Sequence, residues 1–255
     1  LAFRFLEPKE DPSVARLGEV VSGEYDDPDA VLRLARGMDV VTYEFENVPV
    51  ESARMIQDEG IPVYPPPAAL EMAQDRLREK EGFRELGIPT AEFRTVDDRG
   101  DLDAALDAVG LPAVLKTRHG GYDGKGQVFL EEGGDVGAAW KELGGRPLIL
   151  EEKVDFSREL SVLGVRARDG EMAFYPLVEN HHVDAVLRSS LAPAPSLTEQ
   201  LQADAEAYTH RLLEHLEYVG VLALELFQVG DDLRANEVAP RVHNSGHWSL
   251  DGAWH

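Results

Sequence analysis

Two apolar, strand-like stretches near the end of the chain are separated by Gly230-Asp231-Asp232, and each stretch carries a glutamate. The first, residues 223–229, reads Ala-Leu-Glu-Leu-Phe-Gln-Val. The second leads into residues 236–248, Asn-Glu-Val-Ala-Pro-Arg-Val-His-Asn-Ser-Gly-His-Trp. The separating residues are typical of a tight turn, so the two stretches predict a β-hairpin. Polar groups as dense as those of 236–248 are costly to bury without partners, so this segment is expected to serve a site rather than a core.

The predicted register of the hairpin places two carboxylates face to face. A three-residue loop sets Leu226 opposite Asn236 and Glu225 opposite Glu237. Directly opposite residues have Cβ atoms roughly 4.5–5.5 Å apart, and like charges at that distance repel. A cation would remove the repulsion, and carboxylate oxygens suit magnesium. Two alternatives remain open: the glutamates are simply solvated on a strand face, or a two-residue loop puts them on opposite faces.

Composition restricts the class of protein. The 255 residues include 48 acidic and 25 basic side chains, a net charge of −23, which argues against a nucleic-acid binder because such proteins need cations to replace counterions. There is no cysteine, no run of ~20 apolar residues and no signal-peptide pattern at the start. We expect a soluble, cytoplasmic protein without membrane partners. A chain that starts without Met and stops at Trp254-His255 is also expected to be a piece of a longer protein.

Residues 1–69 alternate strand-like and helix-like segments, which predicts a parallel α/β unit. The predicted elements are strands at Ala2–Leu6, Glu19–Val21 and Asp39–Phe45, and helices at Asp29–Gly37, with Asp29 as N-cap, and Ser52–Gly60. Ligands of parallel sheets gather beyond the carboxyl ends of the strands, where Glu44, Glu46 and Asn47 follow the third strand. The alternative for these three residues is a capped, solvated loop.

The rest of the chain begins after a proline-rich linker at Pro62–Pro67. We predict helices at Leu70–Leu86, Leu102–Val109 and Glu199–Glu217 from their apolar periodicity and end signals. Apolar runs predict strands at Pro112–Lys116, Gln127–Leu130, Pro147–Val154, Arg158–Val165 and Ala173–Leu177.

A glycine-rich segment follows the strand that ends in Lys116. Residues 120–127 read Gly-Gly-Tyr-Asp-Gly-Lys-Gly-Gln, and Lys125 adds a second cation. Glycines let the backbone approach a ligand closely and present N–H groups, which suits a polyphosphate. The segment is not a Walker A loop, because Lys125 precedes Gly126 rather than Ser or Thr. The alternative is a flexible hairpin turn, but the flanking lysines favour a phosphate-binding lid.

These features together resemble the ATP-grasp ligases: a glycine-rich lid, a strand ending in acidic residues, and a carboxylate hairpin running into Asn236-Glu237. Residues 120–127 and 240–248 are closely similar to motifs of the N5-carboxyaminoimidazole ribonucleotide synthetase family, and so are 43–48 and Asp75-Arg76. The resemblance begins near residue 37. It implies a mixed α/β and α+β fold: a partial N-terminal parallel α/β (pre-ATP-grasp) domain over 1–69, then an ATP-grasp domain over 70–255, with a lid subdomain at roughly 90–150 and a truncated C-terminus.

The same resemblance implies an activity. Such a ligase uses ATP and Mg²⁺ to carboxylate 5-aminoimidazole ribonucleotide with bicarbonate, through carboxyphosphate, in de novo purine biosynthesis. A homodimer is expected for the full-length protein. Two departures matter, because the family's glycine-rich first strand-turn-helix is absent here and its basic C-terminal segment lies beyond residue 255. The open alternatives are another ATP-grasp carboxylate–amine ligase and an ATP-binding but inactive fragment.

By resemblance, each site residue receives a role. ATP-binding residues would be Arg76, Lys116, Gly121, Tyr122, Asp123, Gly124, Lys125, Gly126, Gln127, Glu151, Glu152, Lys153, Val154, Glu159, His182, Asn236 and Glu237. Magnesium would be held by Glu225, Asn236 and Glu237, and bicarbonate by the catalytic residues Arg241, His243 and Asn244. Glu44, Tyr122 and Asp123 would meet the aminoimidazole. A zinc site at His243 and His247 is disfavoured, because Asn244 breaks the metalloprotease pattern.

Overall fold

The computed structural model describes residues 1–121 and 125–252. Its N-terminal unit contains strands β1 (Arg4–Glu7) and β2 (Glu19–Ser22), which pair in parallel as expected, and helices α1 (Pro28–Ala35) and α2 (Val50–Asp58). The buried face of α1 packs against α2 around Val31, Ala53 and Ile56. Tyr122, Asp123 and Gly124 lie outside the described residues. No helix in the described ranges is long and apolar enough to span a membrane.

Two predictions for the N-terminal unit are wrong. The strand predicted over 39–45 reduces to a parallel bridge between Val41 and Val63, because the neighbouring segment carries prolines that lack an N–H donor. Helix α1 is capped by Asp27 rather than Asp29, and the Asp27 carboxylate accepts the Asp29 N–H at 3.0 Å. Pro28 is then the first helical residue, where a missing N–H has no cost.

The single helix predicted over 70–86 is also wrong, because it is two helices. These are α3 (Pro67–Ala73) and α4 (Arg76–Glu85). Asp75 separates them with an extended backbone, and its carboxylate accepts the Leu77 N–H at 3.0 Å as an N-cap. The same carboxylate accepts a bond from Arg118 Nε at 2.9 Å. A capping residue held by a distant arginine thus starts a new helix that runs alongside the carboxylate hairpin.

A small sheet follows. Its elements are β3 (Phe93–Val96), α5 (Arg99–Val109), β4 (Ala113–Thr117), β5 (Gln127–Leu130), α6 (Val136–Leu143) and β6 (Leu148–Glu152). The strands pair antiparallel in the order β3-β6-β4-β5. Helices α5 and α6 cover one face around Leu102, Leu115 and Leu150. Sequence reading missed β3, where the two central residues are exposed, and α6.

A larger sheet forms the second half. It contains β7 (Arg158–Arg166), β8 (Met172–Phe174), β9 (Val178–Val183), β10 (Val186–Leu191), β11 (Gly220–Val229) and β12 (Asp232–Ala239), with α7 (Glu199–His215) between β10 and β11. The order is β10-β9-β7-β11-β12, and β8 pairs with β7. The strand predicted over 173–177 is shorter than expected, and β9 and β10 were missed. A 3-10 turn (Asn244–Gly246) and α8 (Ser249–Gly252) follow.

The hairpin of β11 and β12 brings Glu225 opposite Glu237 as predicted, but by a different route. The loop has two residues, since Val229 pairs with Asp232. Leu226 faces Ala235, so the predicted pair of Leu226 and Asn236 is wrong. The register shifts between Glu225 and Leu226, which leaves Asn236 as an extra residue in a β-bulge. Without this bulge Glu225 would face Asn236, and the two glutamates would point to opposite faces of the sheet.

Candidate active site

A cavity of about 650 Å³ lies between the two sheets. Glu46 and Asn47, in the N-terminal unit, also line it. Most of the residues predicted for the site line it: Arg76, Lys116, Gly121, Lys125, Gln127, Glu151, Glu152, Lys153, Val154, Glu159, His182, Glu225, Asn236, Glu237, Arg241, His243 and Asn244. Gly126 and Glu44 do not line it, and Glu44 is exposed, whereas Glu46 from the same turn does line it.

A buried charge cluster lies at the small-sheet side of the cavity. Lys116 on β4 donates to Glu151 Oε2 on β6 at 2.9 Å, and Lys80 on α4 lies 3.5 Å from the same oxygen. Burial alone would raise the pKa of Glu151, but Lys116 and Lys80 hold it at about 2. Burial lowers the pKa of Lys116 against the pull of Glu151. Among the described residues, Glu151 Oε1 has no hydrogen-bond partner although it is buried, so it can accept a bond from a ligand.

Arg76 connects the glycine-rich segment, at Gly121, to the hairpin. Its Nη1 donates to Glu237 Oε2 at 3.2 Å, and its Nη2 donates to the Gly121 carbonyl at 3.3 Å. Gly126 closes the other end of the lid, with its carbonyl accepting the Thr117 N–H at 2.8 Å. Gly126 has φ +72°, and a Cβ there would come within 2.6 Å of Thr117 Oγ1, so glycine is required.

Each of the facing glutamates has a basic side chain beside it. His243 Nε2 lies 3.0 Å from Glu225 Oε1, and Arg76 pairs with Glu237. Burial would raise the pKa of Glu237, but Arg76 and then Lys116 hold it below its ordinary value. Within the described part of the chain, no group of three or more His, Asp or Glu side chains is arranged to hold a metal ion alone. A cation here would therefore take one or two protein carboxylates and complete its shell from ligand oxygens and water.

Helix α4 holds the bulge between these carboxylates. Lys80 Nζ donates to the Asn236 carbonyl at 2.7 Å, and Glu79 Oε1 accepts the Val238 N–H at 2.7 Å. Both side chains are almost fully buried. Burial raises the pKa of Glu79 to about 8, and the carboxyl group accepts the Val238 N–H hydrogen bond inside the protein. Sequence reading missed Glu79 and Lys80, because α4 looks like an ordinary charged helix.

The turn that follows β12 is tied to the N-terminal unit. Arg241 Nε forms an ion pair with Glu46, and Arg241 Nη1 donates to the Val242 carbonyl at 2.9 Å. Gln74 Nε2 holds the Glu46 turn by donating to the carbonyls of Glu46 and Val48, at 2.6 and 2.7 Å. Burial would lower the pKa of Arg241, but Glu46 raises it, so the guanidinium is charged. Glu46 of this turn therefore lies beside Arg241 at the cavity, whereas Glu44 does not line it.

The opposite end of the cavity is apolar with polar edges. Phe156 and Phe227 stack with ring centroids 4.5 Å apart, and both line the cavity. His182 forms an ion pair with Glu159, which raises the pKa of His182. Glu152 pairs with Arg234 at 3.0 Å. A flat ring system can pack against an aromatic surface of this kind, and polar hydroxyls fit the rim. The two phenylalanines were missed, because single aromatic residues, one in a loop and one in a strand, carry no motif.

Comparison with known proteins agrees with this geometry. Family models match a ribonucleotide synthetase preATP-grasp domain over residues 1–74 and an ATP-grasp domain over residues 81–255. The N5-carboxyaminoimidazole ribonucleotide synthase of Pseudomonas aeruginosa is 51% identical over 98% of this chain, which covers 69% of that protein.

Solved structures give the same result. The crystal structure of N5-carboxyaminoimidazole ribonucleotide synthetase from Thermus thermophilus is 55% identical, with a TM-score of 0.92 over 99% of this chain and 68% of that one. The enzyme from Aspergillus clavatus, in complex with ADP and 5-aminoimidazole ribonucleotide, is 28% identical, with a TM-score of 0.87 over 97% of this chain and 65% of that one. The chain thus spans about two thirds of the length of these relatives. It belongs to the ATP-grasp ligases and, among them, to the N5-carboxyaminoimidazole ribonucleotide synthase family.

Proposed function

We propose that this chain catalyses the ATP-dependent carboxylation of 5-aminoimidazole ribonucleotide by bicarbonate in purine biosynthesis, or that it supplies the ATP-binding part of the active site for that reaction. The observation that most directly supports this activity is that a single cavity is lined by three groups of residues. These are the Lys116–Glu151 cluster, the facing Glu225 and Glu237, and the Arg241–Asn244 turn. The family matches at 1–74 and 81–255 support two domains, while a boundary at residue 69 or 70 and a lid subdomain at roughly 90–150 remain predictions. The homodimer and the cytoplasmic location remain predictions.

The nucleotide is assigned to the part of the cavity that residues of both sheets line. The stacked Phe156 and Phe227 suit the adenine ring, and the unpartnered Glu151 Oε1 suits a donor on the nucleotide. Glu159, at the rim, suits the ribose hydroxyls, and Lys116 and Arg76 suit the phosphates. The ADP bound by the Aspergillus clavatus relative supports a nucleotide as the ligand. Tyr122, Asp123 and Gly124 of the lid lie outside the described residues, so their roles stay predictions.

Magnesium is assigned to Glu225 and Glu237, with Asn236 at the bulge between them. Two facing carboxylates are hard oxygen donors, and the pair fits an ion that takes its remaining ligands from phosphates and water. Such an ion would supply positive charge that neutralises the transferred phosphate. Arg76 and His243 lie beside these carboxylates, at 3.2 Å from Glu237 and 3.0 Å from Glu225, and both side chains can donate hydrogen bonds to ligand anions.

The first chemical step is phosphoryl transfer to bicarbonate. A bicarbonate oxygen attacks the γ-phosphorus, the bond from that phosphorus to the β,γ-bridging oxygen breaks, and ADP leaves with the bonding pair. The product is carboxyphosphate. Arg241 suits bidentate recognition of the planar bicarbonate, and the His243 imidazole and Asn244 amide suit the oxygens on which charge builds up. All three residues line the cavity next to Glu237.

The second step transfers the carboxyl group. The exocyclic amine of the aminoimidazole attacks the carboxyl carbon of carboxyphosphate, or carbon dioxide formed from it, and phosphate leaves. The nitrogen loses one proton and becomes the carbamate. Glu46 and Asn47 line the cavity on the side of the N-terminal unit, and we assign this side to the aminoimidazole substrate. Glu44 and the lid residues Tyr122 and Asp123 remain predicted contacts of this substrate.

The substrate dependence of ADP release tests the proposal. We expect ADP formation that requires ATP, magnesium and bicarbonate and that rises when 5-aminoimidazole ribonucleotide is added. ADP release driven instead by formate or by a carboxylated amine acceptor would favour another ATP-grasp ligase. Calorimetric binding of ATP without any turnover would favour an inactive ATP-binding protein, and a longer chain extended as in the relatives is the matched control.

A further inference from the structure

A buried chain of hydrogen bonds leads from the middle of the large sheet to His243. Asn180 Nδ2 on β9 donates to Ser161 Oγ on β7 at 2.9 Å, and Ser161 Oγ donates to Ser245 Oγ at 2.8 Å. Ser245 Oγ lies 2.8 Å from His243 Nδ1. Ser161 and Ser245 are fully buried at 0% exposure, and Asn180 is at 6%. Buried hydroxyls are costly unless each is bonded, so these side chains form one satisfied network.

Two groups whose hydrogen-bonding character is unambiguous set the direction of this chain. The Ser245 backbone N–H can only donate, and it points at His243 Nδ1 from 3.4 Å. The Glu225 carboxylate can only accept when ionised, and its Oε1 lies 3.0 Å from His243 Nε2. Nδ1 therefore carries a lone pair and Nε2 carries the proton. The Ser245 hydroxyl must then donate to Nδ1, which leaves its oxygen free to accept the Ser161 hydroxyl.

The sheet register explains why the chain ends at this histidine. Ser161 on β7 is directly opposite Glu225 on β11, so the serine and the carboxylate lie on the same face of the sheet. His243 lies between them: its Nε2 faces Glu225, and its Nδ1 faces Ser245, which Ser161 supports. The paired residues Ser161 and Glu225 therefore support the two ring nitrogens of His243, Glu225 directly and Ser161 through Ser245.

We propose that Ser161 and Ser245 are positioning residues that keep His243 in the Nε2–H tautomer, so that its one N–H lies beside Glu225 on the side of the ring that faces the cavity. The inference rests on the role proposed for His243 in the carboxylation. Ligand anions need a donor, and the opposite tautomer would turn a lone pair toward them. A hydrogen bond at one ring nitrogen decides which nitrogen is protonated, and here the nitrogen away from the ligand is the one that accepts.

Nitrogen NMR of the ligand-free protein tests the proposal without any turnover. In histidine-labelled wild type, with His243 assigned by the loss of its signals in His243→Gln, we expect Nδ1 to give an unprotonated-type shift and Nε2 a protonated-type shift. In Ser245→Ala, the Nδ1 signal should move toward that of an imine nitrogen without a hydrogen bond, and in Ser161→Ala it should move less in the same direction. A proton on Nδ1 in wild type, or an unchanged Nδ1 signal in both variants, overturns the inference.

Kinetics provide the second readout. We expect Ser245→Ala to lower kcat roughly 10- to 100-fold, the usual scale for losing a residue that orients a functional group. The KM for ATP should stay within about twofold of the wild-type value, because the residues assigned to the nucleotide are not part of this hydrogen-bond network. Ser161→Ala should lower kcat less, and the double variant should be no slower than Ser245→Ala, since the serines act in series. Effects that multiply in the double variant overturn the series arrangement.

A matched control removes a different buried hydroxyl. Thr209 on α7 is fully buried and donates only within its own helix, to the Ala205 carbonyl at 2.8 Å. Thr209→Val should leave the His243 signals and kcat at wild-type values, and a Thr209→Val variant that shifts them as Ser245→Ala does overturns the inference. A wild type without turnover would count against the proposed function alone, because the tautomer is measured in the absence of substrates.

Discussion

Glu225 and Glu237 face each other because β12 carries one residue more than β11 between its paired positions. That residue, Asn236, has its carbonyl held by Lys80 Nζ at 2.7 Å rather than by a strand. Since β12 is the last strand of its sheet, its outer backbone groups would otherwise be open. At Ala235 these groups are covered by the preceding segment. The Pro89 carbonyl accepts the Ala235 N–H, and the Thr90 hydroxyl donates to the Ala235 carbonyl, each at 2.7 Å. The carboxylate pair is thus a product of the hairpin and its surroundings.

Glu237→Gln should remove the cation site. We expect kcat to fall by at least ~100-fold, because charge stabilisation of the transferred phosphoryl group is lost. Binding of Mn²⁺ in the presence of ADP, followed by electron paramagnetic resonance, should weaken in parallel. Arg76 keeps its bond to the Gly121 carbonyl, so the unfolding free energy should change by only about 1–3 kcal/mol. Glu142→Gln, an exposed residue on α6, is the control, and wild-type rates for Glu237→Gln at ordinary magnesium would contradict the metal assignment.

Lys80→Met should loosen the bulge. The Asn236 carbonyl would lose its charged donor, and the hairpin would gain freedom to return to the unbulged register that separates the glutamates. We expect the magnesium concentration for half-maximal rate to rise ~10-fold, the low end of the scale for residues that support a metal ligand. Hydrogen exchange at the Val238 amide, held by the neighbouring Glu79, should become faster. Lys141→Met on α6 is the control, and unchanged exchange together with an unchanged magnesium requirement would refute this role.

Arg241→Lys should affect bicarbonate rather than nucleotide. Lysine cannot reproduce the planar fork of arginine, so we expect the bicarbonate KM to rise ~10-fold and turnover to fall. ATP affinity by calorimetry should stay within about twofold, since the Arg241 partners are Glu46 and the Val242 carbonyl and not the nucleotide end. Arg99→Lys, in a surface pair with Asp103, is the control. An equal loss of ATP affinity and rate, with bicarbonate dependence unchanged, would show the assignment to be wrong.

The ends of the glycine-rich lid should become protected when nucleotide binds. Gly120, Gly121, Gly126 and Gln127 border the cavity or the loop next to it, and glycine backbones without apolar anchors open easily. Hydrogen exchange with and without a non-hydrolysable ATP analogue is the measurement. We expect slower exchange at these amides in the complex, while β4 amides such as Leu115 stay protected in both states. Equal exchange in both states would remove the lid interpretation.

Glu151 should make stability depend on pH in the acid range. Its pKa in the folded protein is about 2, below the ordinary value of 4.5, so its ion pairs stabilise the fold above pH 4.5. This contribution is lost as pH falls from 4.5 toward 2, when the carboxylate takes up a proton. The difference in unfolding free energy between wild type and Glu151→Gln should therefore be largest above pH 4.5 and shrink below it. Urea unfolding at pH 7, 5, 4 and 3 measures it, and a constant difference would contradict the assigned pKa.

The sequence by itself determined the chemistry of the site and the class of fold. The motifs at 120–127 and 236–248 are continuous in the chain, so their residue types and spacing can be read without a structure, and the parallel pairing of β1 and β2 follows from local patterning. Only the tertiary structure decided the bulge at Asn236, the helix break at Asp75 and the pairing of Glu46 with Arg241. Each depends on a partner far along the chain: Lys80 is 156 residues from Asn236, and Glu46 is 195 residues from Arg241. Local propensity cannot register such contacts, because a distant hydrogen bond to a buried backbone group outweighs the small local preferences that patterns record.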